Sequence, residues 1–318
     1  MNSHVKHPPI SPLLALSFGI LAVSTASIFI RYALGYAPAL VVAAYRLTLA
    51  TLFLTPLALF RYRKELISLN RRELFLALCS GLFLTAHFAT WITSLQLTSV
   101  ASSVVLVTTT PLFVALLAPI FLKEKLTRPV VVGMSLALVG GVVVGLSDSC
   151  AWQAVRLVCP SAAEFLRGKA FIGDLLALAG AGAASCYVMI GRHVRAKMSL
   201  ISYIFVVYGM AAVGLILLMF GAGQTPWNYP PPAYLWFVLA ALVPQLIGHT
   251  TFNWALGYVS AAFVSITLLG EPIGSTILAY LLLQETPTVI KVFGAILILA
   301  GILIASRNER RPAGQALV

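Results

Sequence analysis

A few polar residues stand alone in long apolar runs, and they are the first candidates for chemistry. Glu271 is the only charged residue between Ala261 and Gln284, and Gly270 and Pro272 flank it. Placed in such a run, it is suited to bind an amine, carry a proton or pair with Arg46. It equally suits capping or bracing a broken helix. Arg46 stands alone between Pro38 and Phe60. Its planar guanidinium fits a carboxylate or freed backbone carbonyls, and a structural brace is favoured over substrate contact. Gln245, His249 and Asn253 recur every four residues, which puts them on one helix face, with Trp254 beside it. His87 and Trp91 show the same spacing. Such faces either bond neighbouring helices or line a cavity; two of them tip the reading to a cavity. Thr108, Thr109 and Thr110 precede Pro111, and Pro111 and Pro272 each interrupt a run. A proline removes one backbone donor and frees a carbonyl one turn earlier. The threonines are placed to bond freed backbone groups or to face a ligand.

The surrounding sequence settles what positions these groups. Of 318 residues, 60% are hydrophobic and 9% charged, against about 25% charged in a soluble domain. Only lipid suits so little polar surface. Apolar runs lie near 11–33, 38–60, 73–96, 99–122, 129–147, 171–191, 200–222, 233–257, 261–284 and 288–306. Each suffices to cross roughly 30 Å of hydrocarbon. Backbone groups cannot go unpaired there, so the runs are predicted helices. The first is read as a retained helix, not a cleaved signal. With the N-terminus in the cytoplasm, fifteen of the 21 Lys and Arg fall on inside segments. This bias sets both termini inside, in a plasma (inner) membrane. The net charge of +12 then reflects orientation, not nucleic-acid binding.

The two halves match each other. An offset of 161 carries Ser99 to Ser260, Pro111 to Pro272, Glu124 to Glu285, Thr127 to Thr288, Gly133 to Gly294 and Gly140 to Gly301. Matches in register at Pro, Glu, Thr and Gly are rarely accidental. Five spans per half is odd, so the second half is inverted relative to the first. The organisation reads as a first repeat over 11–147, an external loop over 148–170 and a second repeat over 171–306. Inverted halves can exchange conformations around one central site, which serves a carrier. The loop is expected to hold a short surface helix, on the three-residue spacing of Trp152, Val155 and Val158. Its Cys150 and Cys159 are free or joined. Gly141 and Gly145 form a GxxxG spacing, a weak signal of close helix approach.

The pattern resembles the EamA-type branch of the drug/metabolite transporter superfamily. The block from Pro111 to Thr127, the Gly270-Glu271-Pro272 turn, the stretch from Gln284 to Thr288, and Arg46 carry this resemblance. It departs where Lys123 and Gln284 stand in place of the Gly frequent before each repeat glutamate, and in the length of the external loop. The resemblance implies a secondary transporter of small metabolites, foremost an exporter of amphipathic or aromatic amino acids, working by alternating access. Proton-coupled efflux of organic cations is the alternative. An intramembrane enzyme is the remoter one, since HExxH, GxSxG and paired catalytic carboxylates are absent from the sequence. Neither cofactor nor metal is expected. The expected partners are a small-molecule substrate, foremost an amino acid, and membrane lipid, with no nucleic acid, and the chain is expected as a monomer or homodimer. Residues expected at the cavity are His87, Trp91, Thr110, Gln245, His249, Asn253, Trp254 and Glu271; Arg46, Pro111 and Pro272 are expected to shape it.

Overall fold

A computed structural model describes residues 8, 10–121, 128–149, 151–153, 156–158, 161–259 and 261–305. Eight helical segments among them are long and apolar enough to cross a membrane. These are Pro12–Leu34, Ala39–Arg61, Arg71–Leu97, Val100–Leu117, Lys169–Arg195, Leu200–Gly221, Pro231–Ala255 and Phe263–Leu283. The helices Arg128–Ser149 and Val289–Ala305 complete ten. Counted along the chain, Arg128–Ser149 is the fifth span and Val289–Ala305 the tenth. The first span begins, and the tenth ends, at the terminal face; the opposite, loop-bearing face carries the short helix Ala162–Arg167.

Local chemistry sets the helix ends. Asn70 accepts from Glu73 N–H at 2.8 Å while the Glu73 carboxylate accepts from Asn70 N–H, a reciprocal cap that starts the third span. Ser99 and Ser199 cap the fourth and seventh spans through the N–H groups of Ser102 and Ser202. The fourth span is interrupted after Val107 and resumes at Thr110; the ninth is interrupted after Thr267 and resumes at Gly270. The interruptions therefore fall at matching places in the two halves. Pro111 frees the Val107 carbonyl, and the Thr110 hydroxyl donates to it at 3.0 Å. In the ninth span Glu271 N–H donates to Leu268 O at 2.9 Å.

The fifth and tenth spans cross through paired glycines. A Cβ on Gly140 would stand 2.7 Å from Gly294 O, and one on Gly301 would stand 2.5 Å from Gly133 O. No side chain fits at such an approach, so the backbones touch. Gly133 matches Gly294 and Gly140 matches Gly301 in the repeat, so exchanging the halves maps one contact onto the other. Gly141, in the expected GxxxG pair, is not at this seam; its nearest neighbour would be Leu106 Cδ2 at 3.6 Å.

The segment 151–158 differs from expectation. Ala151–Gln153 pairs antiparallel with Arg156–Val158, with Trp152 opposite Leu157. The predicted surface helix is therefore a short hairpin. Three positions three apart span less than one further turn, too little to establish a helical period. Trp152 and Val158 are also residues that favour strands. A short helix, Ala162–Arg167, follows. Cys150 and Cys159 lie outside the described residues.

Candidate functional site

The interrupted fourth and ninth spans face a cavity at mid-depth. Thr108, Thr110 and Val107 line it from the fourth span and Val264, Leu268 and Glu271 from the ninth. His87 and Trp91 contribute from the third, Tyr187 from the sixth, and His249, Phe252 and Asn253 from the eighth. Leu256 and Val264 carry the lining to the terminal face. Thr110 and Glu271 are repeat mates, as are Trp91 and Phe252, so the cavity straddles the relation between the halves. Its polar groups break that relation: Glu271 stands where the first half has a threonine.

The eighth span reaches the cavity through a wide π-helical stretch, Ala241–His249, with Pro244 inside. Such stretches are rare and frequent at functional sites. Asn253 is fully buried, and its amide donates to Tyr187 Oη at 2.5 Å and His249 O at 2.9 Å. Its Oδ1 has no partner. His87 Nδ1 lies 2.9 Å from Gly180 O. A carbonyl only accepts, so Nδ1 carries the proton, and in the neutral ring Nε2 is an acceptor. The third and sixth spans pack closely here, since a Cβ on Gly180 would stand 3.1 Å from Thr90 Oγ1. The His87 ring stacks on Trp91 at 5.8 Å and lies 6.5 Å from His249.

Arg46 sits behind this wall, fully buried. Its Cζ is 4.4 Å from the Phe88 ring centroid and 5.8 Å from that of Trp91, and Nε donates to Gln245 Oε1 at 2.9 Å. Both Nη atoms and Gln245 Nε2 lack partners. Arg46 thus meets an amide and two aromatic faces, and neither the carboxylate nor the freed carbonyls that its sequence suggested. Gln245 is turned to Arg46 and away from the cavity. Trp254 is also elsewhere: it lines a shallow pocket with Ile10, Ala15, Leu200, Thr250 and Thr251, and its ring is 4.8 Å from Tyr258. One residue beyond Asn253 is about 100° further round a helix, enough to leave the cavity. Pro111 and Pro272 are buried at the two interruptions. Tyr187 and Phe252 were missed from sequence, whereas Thr108, singled out there with its two neighbours, is on the lining. The repeat offered one signal, since Phe252 is the mate of Trp91. Among the described residues no three His, Cys, Asp or Glu side chains converge to hold a metal.

The two ends of the bundle are held differently. At the loop-bearing face, Arg31 Nη2 donates to Glu285 Oε1 at 2.8 Å, and Nη1 donates to Leu95 O. Glu285 Oε2 accepts from Val100 N–H at 3.0 Å, and Lys291 Nζ donates to Ser99 Oγ at 2.8 Å. The bonds of Glu285 to Arg31 and Val100 and of Lys291 to Ser99 tie the first half to the second above the cavity. At the terminal face Arg192 Nη1 donates to Leu256 O at 2.8 Å. Arg31 and Arg192, like Leu95 and Leu256, are repeat mates.

The architecture of two repeated halves with matched interruptions is matched by a known family. The sequence model of the EamA-like transporter family fits the chain twice, over residues 10–146 and 171–307. The chain belongs to the EamA-like transporter family. Among similar proteins, "Uncharacterized transporter YyaM" of Bacillus subtilis (strain 168) is 23% identical over 306 residues, covering 94% of each chain. "Uncharacterized transporter YdfC" of the same organism is 24% identical over 198 residues, 62% of this chain and 59% of that one. An uncharacterized transporter of Archaeoglobus fulgidus is 26% identical over 228 residues, 71% of this chain and 73% of that one. One solved crystal structure shares the fold, with a TM-score of 0.63 at 20% identity, covering 95% of this chain and 98% of the other. The EamA-like chain is thus an all-α, multi-pass membrane protein of transporter type.

Proposed function

We propose that this EamA-like protein is a secondary transporter of small amphipathic metabolites, amino acids foremost, working by alternating access of its two halves. The observation that carries the reading is the cavity between helices interrupted at matching places, Val107–Thr110 and Thr267–Gly270. Interrupted helices in corresponding positions of two repeats are where carriers bind their cargo. The basic residues favour a plasma (inner) membrane location with the terminal face in the cytoplasm. In that frame the cavity reaches toward the cytoplasm, while the Arg31–Glu285 ties hold the outer end shut. Aromatic walls from Trp91 and Phe252 suit an apolar body with a polar head. The cavity, not a catalytic constellation, is what the chain offers a small molecule.

A second reading, efflux of organic cations, is favoured by one observation: Glu271 is the one charged side chain among the described residues lining the cavity. Proteoliposomes loaded with protein and offered labelled aromatic, aliphatic and hydroxy amino acids, a sugar and an organic cation, with and without a proton gradient, test both. Saturable amino-acid uptake supports the first reading. Uptake of the cation alone, driven by the gradient, supports the second. No saturable uptake of any solute sinks the carrier reading.

A further inference from the structure

The cavity has a marked imbalance of polar groups. Glu271 is 92% buried by its residual exposure of 8%, and its carboxylate faces a wall otherwise without charge. Asn253 Oδ1 is an acceptor without a partner, and His87 presents Nε2 as a second acceptor in its neutral form. The hydroxyls of Thr108 and Thr110 spend their protons on Val104, Val105 and Val107 carbonyls, so they turn only lone pairs outward. The donors on the wall are neutral: Trp91 Nε1, which lacks a partner, the Tyr187 hydroxyl and the one N–H of a neutral His249 ring. The charge of Arg46 reaches Glu271 only through space, because both Nη atoms lack a hydrogen-bond partner. Its guanidinium is stacked behind Phe88 and Trp91 and is outside the cavity lining.

A buried carboxyl stays ionised only beside a partner that brings both charge and donors. A protonated primary amine supplies three donors and one positive charge. The flanking Trp91 and Phe252 rings add favourable faces for the same cation. A substrate carboxylate would find no cation on the wall and would share the space with Glu271. The asymmetry is set by the repeat itself: the mate of Glu271 is Thr110, so one wall carries the charge and the mirrored wall carries none.

We propose that this site recognises its substrate through a protonated amino group held by Glu271, Asn253 Oδ1 and His87 Nε2, and that a substrate carboxylate is not recognised. The proposal rests on the transporter reading and narrows its cargo to amphipathic monoamines, with amino acids bound through the amine alone. Decarboxylation then improves a ligand.

The test is binding of tritiated tryptamine to the purified full-length protein in nanodiscs, competed by tryptophan and by indole-3-propionate. These share the indole body and differ in the amine and the carboxylate. Tryptamine should bind roughly tenfold or more tighter than tryptophan, and indole-3-propionate should not compete. Glu271→Gln should weaken tryptamine by a similar factor. The exchange Glu271→Thr with Thr110→Glu moves the carboxylate to the mirrored wall and should recover part of the affinity. Tryptophan binding more tightly than tryptamine overturns the proposal, as does competition by indole-3-propionate. Undiminished tryptamine binding by Glu271→Gln overturns it too. The ligand comparison on the unaltered chain decides even where a variant fails to fold. Should none of the three bind while proteoliposomes transport a sugar, the amine assignment falls and the carrier stands. Should the proteoliposomes move no solute, the carrier reading falls first.

Discussion

Glu285→Gln isolates the tie that closes the loop-bearing face. The substitution keeps the side-chain shape and removes its charge. Glu285 accepts from Arg31 at 2.8 Å and from Val100 N–H at 3.0 Å through its two oxygens; a Gln keeps one acceptor, so the ion pair is lost and one of the two bonds with it. The side chains of Arg31 and Glu285 are 29% and 24% exposed, which places the pair between a surface and a buried ion pair. Surface pairs contribute about 0.2–1 kcal/mol and hydrogen bonds to charged groups about 1.5–3 kcal/mol. With solvent screening, about 1.4 kcal/mol is a reasonable loss, equivalent to about a tenfold change in the balance between shut and open forms. Ala279 reports on that balance, because it lines the space beneath the tie and is 1% exposed. In a background with Cys79, Cys150, Cys159 and Cys186 replaced, Ala279→Cys should react slowly with a membrane-impermeant maleimide. Adding Glu285→Gln should raise the rate about tenfold. A rate unchanged within twofold, in protein that still melts cooperatively, refutes the idea that this tie shuts the face. Arg192→Gln, at the opposite face, should not raise labelling at position 279.

Three further outcomes follow from the same geometry. Gly140→Ala should lower the melting temperature in detergent by the equivalent of about 1–3 kcal/mol, since its Cβ meets backbone at 2.7 Å. Gly141→Ala, with 3.6 Å to spare, should leave the melt unchanged or raise it. Arg46→Lys should destabilise by about 2 kcal/mol, because an ammonium loses the planar stack on Phe88 and the Nε bond to Gln245; an unchanged melt counts against the stack. Burial opposes the charge on Glu65, but bonds from Ser199 and Ser202 and the charge of Arg195 outweigh it and hold its carboxyl below its ordinary value of 4.5. A depressed carboxyl stabilises at neutral pH, and the benefit fades as pH falls below 4.5 through its folded value. Glu65→Gln should therefore lower the melting temperature at pH 7 and have progressively less effect below that point.

The order of helices was legible because lipid makes one demand of every span, and each run meets it on its own. The matched interruptions were legible too, since Pro111 and Pro272 announce a missing donor regardless of tertiary context. Side-chain direction was not. The four-residue spacing of Gln245, His249 and Asn253 assumes α-helical turns, whereas Ala241–His249 is π-helical, and Gln245 leaves the cavity for Arg46. Trp254 followed the same assumption and points elsewhere. Tyr187 carries no motif; it reaches the site only because the sixth span packs on the third through Gly180. The hairpin at 151–158 was hidden because three positions cannot distinguish a period of two from one of 3.6.

The glycine seam between the fifth and tenth spans has a consequence for ancestry. Gly133 meets Gly301 and Gly140 meets Gly294, and exchanging the halves returns the same two contacts. That is the mark of an isologous interface, in which one surface is complementary to itself. A single five-helix chain inserted in both orientations would form this seam with its own copy, so the docking surface needs no fusion to exist. Joining two such chains frees each half to diverge wherever it does not face its counterpart. Glu271 opposite Thr110 is such a divergence. The seam has no such freedom: Gly140, Gly294 and Gly301 are each held small by backbone of the opposite half, so these positions answer to one constraint.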